Sequence, residues 1–437
     1  MKKITVIGAG LAGCEAALAA VRQGIKVDLY EMKPQRKTPA HKSDMFAELV
    51  CSNSLKAARI DSAAGLLKQE MRTLGSVCLA VADKCSVAAG GALSVDREAF
   101  ACGVTDNIKS NPYINVINKT VLTIPENEIV VIATGPLTDN ALAADIEKVC
   151  GEKSLSFYDA AAPIVLSDGI DMSIAFSASR YADGDGDYIN CPMNKSEYEA
   201  FYDALVSAET APLHDIDKSL NVYEGCMPIE VLAKRGMDTV RFGPMKPVGL
   251  RDPRTGHRPW AAVQLRRENA AGTLYNLVGF QTNLKFGEQK RVFSMIPGLK
   301  DAQIVRYGVM HRNSFINSPV LLSKNLSLKK DSNIFFAGQL SGVEGYMESA
   351  ASGIIAGINA ARFAKGEKPL ILPDYTMIGA LLNYITDISV KDFQPMGANF
   401  GVLPPLKNQI RDKRERYMAL ALRALDFYKS KGDILCE

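Results

Sequence analysis

Gly8, Gly10 and Gly13 follow the apolar run Ile4–Ile7 and open an alanine-rich segment, and no other feature limits the fold so tightly. Three glycines at this spacing permit a tight strand-to-helix turn and let a pyrophosphate approach the backbone at a helix N-terminus. A helix is expected from about Ala12 to Gln23, ended by Gly24, with a return strand over Lys26–Glu31. Glu31 closes that strand where a carboxylate can accept hydrogen bonds from an adenosine ribose. The first 33 residues therefore read as the βαβ unit of a dinucleotide-binding domain.

Two later segments narrow the dinucleotide. VVIATG at 130–135 and IFFAGQ at 334–339 resemble the second and third signatures of glutathione-reductase-type flavoproteins, where a late strand and turn hold the flavin side of the cofactor. Simple NAD dehydrogenases lack that last element, so FAD is the expected bound cofactor. Its expected contacts are Gly8, Ala9, Gly10, Leu11, Ala12, Gly13, Glu31, Thr134, Gly135, Gly338 and Gln339. The fold class that follows is α/β, a glutathione-reductase-type FAD-binding Rossmann-like domain with an inserted α+β lobe. The domain is expected to be discontinuous, over 1–145 and 325–437, with the substrate- and RNA-binding insertion at 146–324. Helices are expected over Ala63–Leu74, near Ser196–Val206, over Glu348–Lys365 and in a basic-faced tail at 412–431. A DGDGD turn cluster falls at 183–187.

Composition excludes several classes. A chain of 437 residues, 47% apolar and 23% charged, suits an ordinary folded protein of two or three domains. No stretch approaches the roughly 18 apolar residues of a spanning helix, and the start runs straight into a strand without a signal-like segment, so a cytoplasmic protein without membrane attachment is expected. Nine cysteines without a CxxC pair suggest reduced thiols, mostly small core hydrophobes, rather than a disulfide framework or zinc site. His41, His214, His257 and His311 lack metal-ligand spacing, and neither a metal nor a serine-hydrolase signature is expected. Charge is unevenly distributed, with 17 acidic against 5 basic residues over 140–230 and 18 basic against 5 acidic over 234–330. These segments either neutralise one another or present a basic surface to a polyanion. Arg241, Lys246, Arg251, Arg254, Arg258, Arg266 and Arg267 could meet phosphates, with Trp260 either stacking on a base or lying in the core.

Four strings carry a more specific resemblance: GAGLAGCEAA at 8–17, ELVCSNSLKA at 48–57, YEGCMPIEVLAKRG at 223–236 and AGQLSGVEGYMESAASG at 337–353. Together they resemble the folate- and FAD-dependent tRNA uracil-5-methyltransferases along essentially the whole chain. The resemblance implies transfer of a one-carbon unit from methylenetetrahydrofolate, with FAD as carrier and NADPH or NADH as reductant, to form ribothymidine in the tRNA T loop. It also matches Cys51 and Cys226 to the family's two functional cysteines. C5 of uracil is a poor nucleophile until a thiolate adds at C6, and a second group must then remove the C5 proton. Cys51 is expected as that nucleophile, and Cys226 as the partner that assists or forms a transient flavin-linked species. Both sit in polar or turn-like settings that suit an accessible thiolate. The expected partners are tRNA, folate and NAD(P)H, with no obligate protein partner.

Other readings share part of this pattern. The same chemistry could act on ribosomal RNA, since the motifs report chemistry rather than the chosen RNA. The tRNA wobble-uridine flavoprotein resembles the chain less and carries an extra C-terminal domain for which 437 residues leave no room. From a different class, the chain could be a plain NAD(P)H-dependent flavin oxidoreductase on small molecules, or a binding protein in which FAD is only structural.

Overall fold

The computed structural model describes residues 2–38, 40–152, 155–180, 186–212, 227–391 and 393–436. Strand β1 (Lys3–Ile7), helix α1 (Leu11–Arg22) and strand β2 (Lys26–Glu31) form the opening unit. They lie in a five-stranded, all-parallel sheet, whose order is Ile334–Phe336, Val130–Ile132, β1, β2 and Ile114–Asn118. Both faces are covered, which explains why Ile4, Thr5, Val6 and Ile7 are all buried and the run shows no alternation. Gly24 follows α1 in the left-handed region (φ +76°), as helix-ending glycines do.

The helix Tyr346–Lys365 packs directly on α1. Their contact is backbone to backbone: a Cβ at Gly353 would lie 2.2 Å from the Ala12 carbonyl oxygen, and one at Gly357 would lie 2.2 Å from that of Ala16. Small residues along both helices permit this approach. Two buried carboxylates tie further helices to this core. Glu15 of α1 accepts hydrogen bonds from Ser76 Oγ and the Cys78 N–H at the start of Val77–Lys84. Glu70, on Ala63–Thr73, accepts the Met377 and Ile378 N–H groups at 2.7 and 2.9 Å, where Met377–Thr386 begins. Each supplies acceptors to helix N–H groups that have no intrahelical partner.

A second hydrophobic core lies between residues 165 and 304. It covers a six-stranded antiparallel sheet ordered Phe176–Ser177, Tyr188–Met193, Ala261–Arg267, Leu274–Leu277, Ile164–Leu166 and Ile304–Arg306. Helix Lys195–Ser207 packs on it through Tyr198, Phe201 and Leu205, and starts with a reciprocal cap between Asn194 and Glu197. Residues up to Cys150 and from Phe315 onward pack in the first core. A two-stranded ribbon, Leu155–Ala160 with Met310–Phe315, connects the two. The acidic cluster at 183–187 lies largely outside the described residues, although Asp187 accepts the Gly90 N–H at 2.6 Å.

Candidate active site

Loops at the carboxyl ends of all five parallel strands converge on one cavity of about 390 Å³. Its walls include Gly8, Gly10, Leu11 and Ala12 after β1, Glu31 after β2, Thr134 and Gly135 after Val130–Ile132, and Gly338 and Gln339 after Ile334–Phe336. Nine of the eleven cofactor positions expected from sequence thus face one space. Ala9 and Gly13 are not among the lining residues. Ala9 is buried and gives its N–H to Glu31 Oε2 at 2.8 Å, while a Cβ at Gly13 would lie 1.7 Å from the Gly8 carbonyl oxygen. These two residues shape the turn from behind.

The donor set suits a dinucleotide. No side chain caps α1, so its first N–H groups are left without an acceptor from that source, and a Cβ at Gly10 would meet nothing within 4 Å. Helix Tyr346–Lys365 also starts without a side-chain cap, at Gly345, and its first residues line the same cavity. Two positive helix ends therefore meet an open space able to take an anion. Glu31 accepts the Ala9 and Lys33 N–H groups at 2.8 and 3.0 Å, which fixes its carboxylate in the wall with lone pairs to spare.

Cys51 stands in the wall of this cavity. Its Sγ lies 3.0 Å from Tyr346 Oη, and that oxygen accepts the Cys51 N–H at 2.8 Å and the Ser52 N–H at 3.3 Å. With both lone pairs engaged, the single phenol proton is directed at sulfur. Burial, reinforced by the neighbouring Cys51 charge, holds the Tyr346 hydroxyl well above its ordinary pKa, so it stays a donor.

The loop around Cys51 is gripped by three arginines. Arg97 Nη1 donates to Leu49 O at 2.6 Å, Arg306 Nη2 donates to Val50 O, and Arg266 donates to Ser52 Oγ at 2.7 Å and Asn53 Oδ1 at 3.0 Å. Arg97 also pairs with Glu268 at 2.6 Å. Asn53, fully buried, gives its amide N–H groups to Val95 O and Arg267 O, both at 3.0 Å, bridging the two halves of the molecule.

Several expected residues fall elsewhere. Cys226 and His214 lie outside the described residues. Arg266, read in the sequence among possible phosphate contacts, is 8% exposed and turned inward to the Cys51 loop. Trp260 is not in the core: it is 36% exposed, with the Arg241 guanidinium 3.8 Å from its ring centre. Cys102 departs from the buried-thiol expectation, being exposed beside Asp106, whose carboxylate pushes its thiol up. Among the described residues no cluster of three metal-ligating side chains occurs, and no helix is long and apolar enough to cross a membrane. Tyr346, Arg97 and Arg306 carried no signal of their own in the sequence reading, although Tyr346 stands inside the string at 337–353.

With this geometry in view, the family described as glucose inhibited division protein A matches residues 3–368. The protein named methylenetetrahydrofolate--tRNA-(uracil-5-)-methyltransferase TrmFO from Pelotomaculum thermopropionicum is 59% identical over 425 residues, covering 97% of each chain. That of Listeria innocua is 56% identical over 434 residues, covering 99% of this chain and all of its own. Among solved structures, Aquifex aeolicus GidA in its form I crystal superposes with a TM-score of 0.70 at 19% identity, over 98% of this chain and 76% of that one. This last likeness is one of fold.

Proposed function

The chain belongs to the TrmFO family of methylenetetrahydrofolate--tRNA-(uracil-5-)-methyltransferases, within the wider glucose inhibited division protein A family, and from that premise we propose how its site performs the reaction. It is a folate-dependent methyltransferase of uracil C5 in tRNA, and uridine of the T loop is the proposed target. The observation that carries the mechanism is the placement of Cys51, with Tyr346 at 3.0 Å, in the wall of the dinucleotide cavity.

The cofactor is FAD. Gly8, Gly10, Leu11 and Ala12 at the uncapped N-terminus of α1 would hold its pyrophosphate, Glu31 its adenosine ribose, and Thr134, Gly135, Gly338 and Gln339 its flavin side. When bound, FAD carries the one-carbon unit from methylenetetrahydrofolate, using reducing equivalents from NADPH or NADH. Ala9 and Gly13 support the turn without facing the cavity. We assign the cofactor half to 1–145 and 325–437 and the insertion at 146–324 to substrate and RNA contact. The division is supported by two separate cores, with the short stretch from Phe315 packing beside the cofactor half.

Cys51 acts as the nucleophile toward uracil. Its thiolate adds to C6, the C5–C6 π electrons move to the C4 carbonyl as an enolate, and C5 becomes able to accept the carbon. Loss of the C5 proton to a base then allows the S–C6 bond to break and returns the thiolate. Tyr346 donates its phenol proton to Sγ while the sulfur is anionic, both before addition and after release. Its hold on the Cys51 and Ser52 N–H groups fixes the loop that aims the thiol. Cys226, in the string at 223–236, is the proposed second thiol.

The test is transfer of label from methylenetetrahydrofolate carrying a radioactive methylene carbon, assayed on purified tRNA and ribosomal RNA with NADPH or NADH. Label in tRNA and none in Cys51→Ala supports the reading. Full transfer by both Cys51→Ala and Cys226→Ala removes the thiol chemistry, and label in ribosomal RNA alone reassigns the substrate. The site gives a bare flavin oxidoreductase no use for a buried phenol aimed at a cysteine. Residence in the cytoplasm belongs to the same proposal.

A further inference from the structure

We propose that the inserted half of the molecule, through Arg266 and Arg306, holds the Cys51 sulfur as a thiolate, so that docking of one half switches on the nucleophile carried by the other. The inference rests on the reading of Cys51 as nucleophile. Arg266 is the last but one residue of the strand Ala261–Arg267 and Arg306 ends the strand Ile304–Arg306, both in the inserted sheet, yet both reach across to the Leu49–Asn53 loop.

Charge balance around that loop carries the argument. Of the three guanidiniums, Arg97 is matched by Glu268 at 2.6 Å. Among the described residues, Arg266 and Arg306 have no carboxylate within ion-pair distance, although Arg266 is buried and Arg306 half-buried, and the charge of Glu268 reaches both from further off. Burial works against the charge of each and lowers both pKa values. Three guanidiniums against the carboxylates of Glu268 and Glu48 leave an excess of positive charge beside this loop, which a further anion nearby relieves. Tyr346 cannot be the anion, since its proton is held. Glu48, held by the Lys42 and Ser43 N–H groups, keeps its charge and acts on Arg306, while Glu348 is paired with Lys56 at 2.7 Å. His41, beside Glu48 and Lys33, is held toward its neutral form, chiefly by burial. Among the described residues the Cys51 sulfur is a further group of this neighbourhood able to take a negative charge, and its field acts on Arg97 and, after those of Glu268 and Tyr188, on Arg266.

Arg266 and Arg306 are thus positioning residues: they bond to the loop and bias the protonation of the thiol. The measurement is the pH dependence of Cys51 alkylation by iodoacetamide in the purified flavin-bound protein, followed by mass spectrometry of the Cys51 peptide. Wild type should show a midpoint at least about one unit below the ~8.5 of an ordinary thiol. Arg266→Gln and Arg306→Gln should each raise it by about one unit, slowing alkylation at pH 7 about tenfold, since one unit is a factor of ten in thiolate population. Arg266→Lys and Arg306→Lys, which keep the charge and lose the fork, should stay closer to wild type. Unmoved midpoints in flavin-retaining glutamine variants overturn the proposal. If those variants do not fold, an ordinary midpoint in wild type overturns it alone. Methyl transfer by Cys51→Ala would sink the nucleophile reading instead and leaves the midpoint measurement unaffected.

Discussion

Tyr346 meets Cys51 across 295 residues of sequence, and its hydroxyl does three things: it faces the sulfur and accepts the Cys51 and Ser52 N–H groups. Tyr346→Phe keeps the ring and removes the donor to sulfur and the acceptor for two N–H groups. Hydrogen bonds to charged groups contribute about 1.5–3 kcal/mol, so turnover should fall roughly 10- to 100-fold while bound flavin per chain is unchanged. A fall in flavin content matching the fall in rate would show the ring, not the hydroxyl, to be the working part. Gly13→Ala tests the opposite end of the site. Its methyl would sit 1.7 Å from the Gly8 carbonyl oxygen, so the turn must open, and the variant should purify without its yellow cofactor. Gly8, Gly10, Gly13 and Glu31 were legible in sequence because the dinucleotide turn is built within about 25 residues, and each residue type there has a single local reason. The arginine grip was not. Arg266 looked like one more basic residue in a basic segment, and only the chain path that brings it to Asn53, 213 positions away, gives it a role.

Between elements, the packing of α1 on Tyr346–Lys365 decides the shape of the cavity, since both helices start at its edge. Gly357→Ala places a methyl 2.2 Å from the Ala16 carbonyl oxygen, and the helices must part. Overpacking of this kind costs about 1–3 kcal/mol. The expected result is a lower thermal midpoint together with faster flavin loss, read by absorbance during dialysis. A variant that loses stability but retains flavin would uncouple the helix contact from the site. Glu70 joins three helices, since it also accepts from Tyr428 Oη at 3.1 Å, and burial raises its pKa to about 7. The unfolded value is about 4.3, so folding favours the neutral acid. The stability this group contributes is complete below about pH 4.3 and is lost as pH rises through about 7. Thermal midpoints of wild type minus Glu70→Gln should therefore become more negative from pH 5 to pH 8; a flat difference would place the ordinary carboxylate there. The helix boundaries themselves were readable. The helix expected near Ser196–Val206 is Lys195–Ser207. The connection of Glu70 to Met377 spans 307 positions and leaves no local trace.

For the molecule as a whole, two cores meet at a junction made largely of polar groups, and Asn53 stands in it with one donor toward each side. Asn53→Ala leaves the Val95 and Arg267 carbonyls without that donor and frees the Arg266 guanidinium from one acceptor. Flavin should remain bound, since none of its proposed contacts is touched, while methyl transfer should drop at least about tenfold, a loss near the cost of one unsatisfied buried group. Equal activity in that variant would show that the junction does not matter to chemistry. The sequence predicted two halves from its returning signature at 334–339, but not which residues join them, because junction partners follow from topology rather than from periodicity. The parallel sheet has a further consequence for how such a chain is made. Its Ile334–Phe336 strand pairs with Val130–Ile132, and the helix that follows supplies one of the two positive ends at the cavity. A ribosome releases these segments only after the entire inserted half has emerged, and domains fold largely in order of synthesis. A nascent chain therefore holds an incomplete cradle until late in translation, and capture of the flavin marks a polypeptide that has already threaded out and returned to its first sheet.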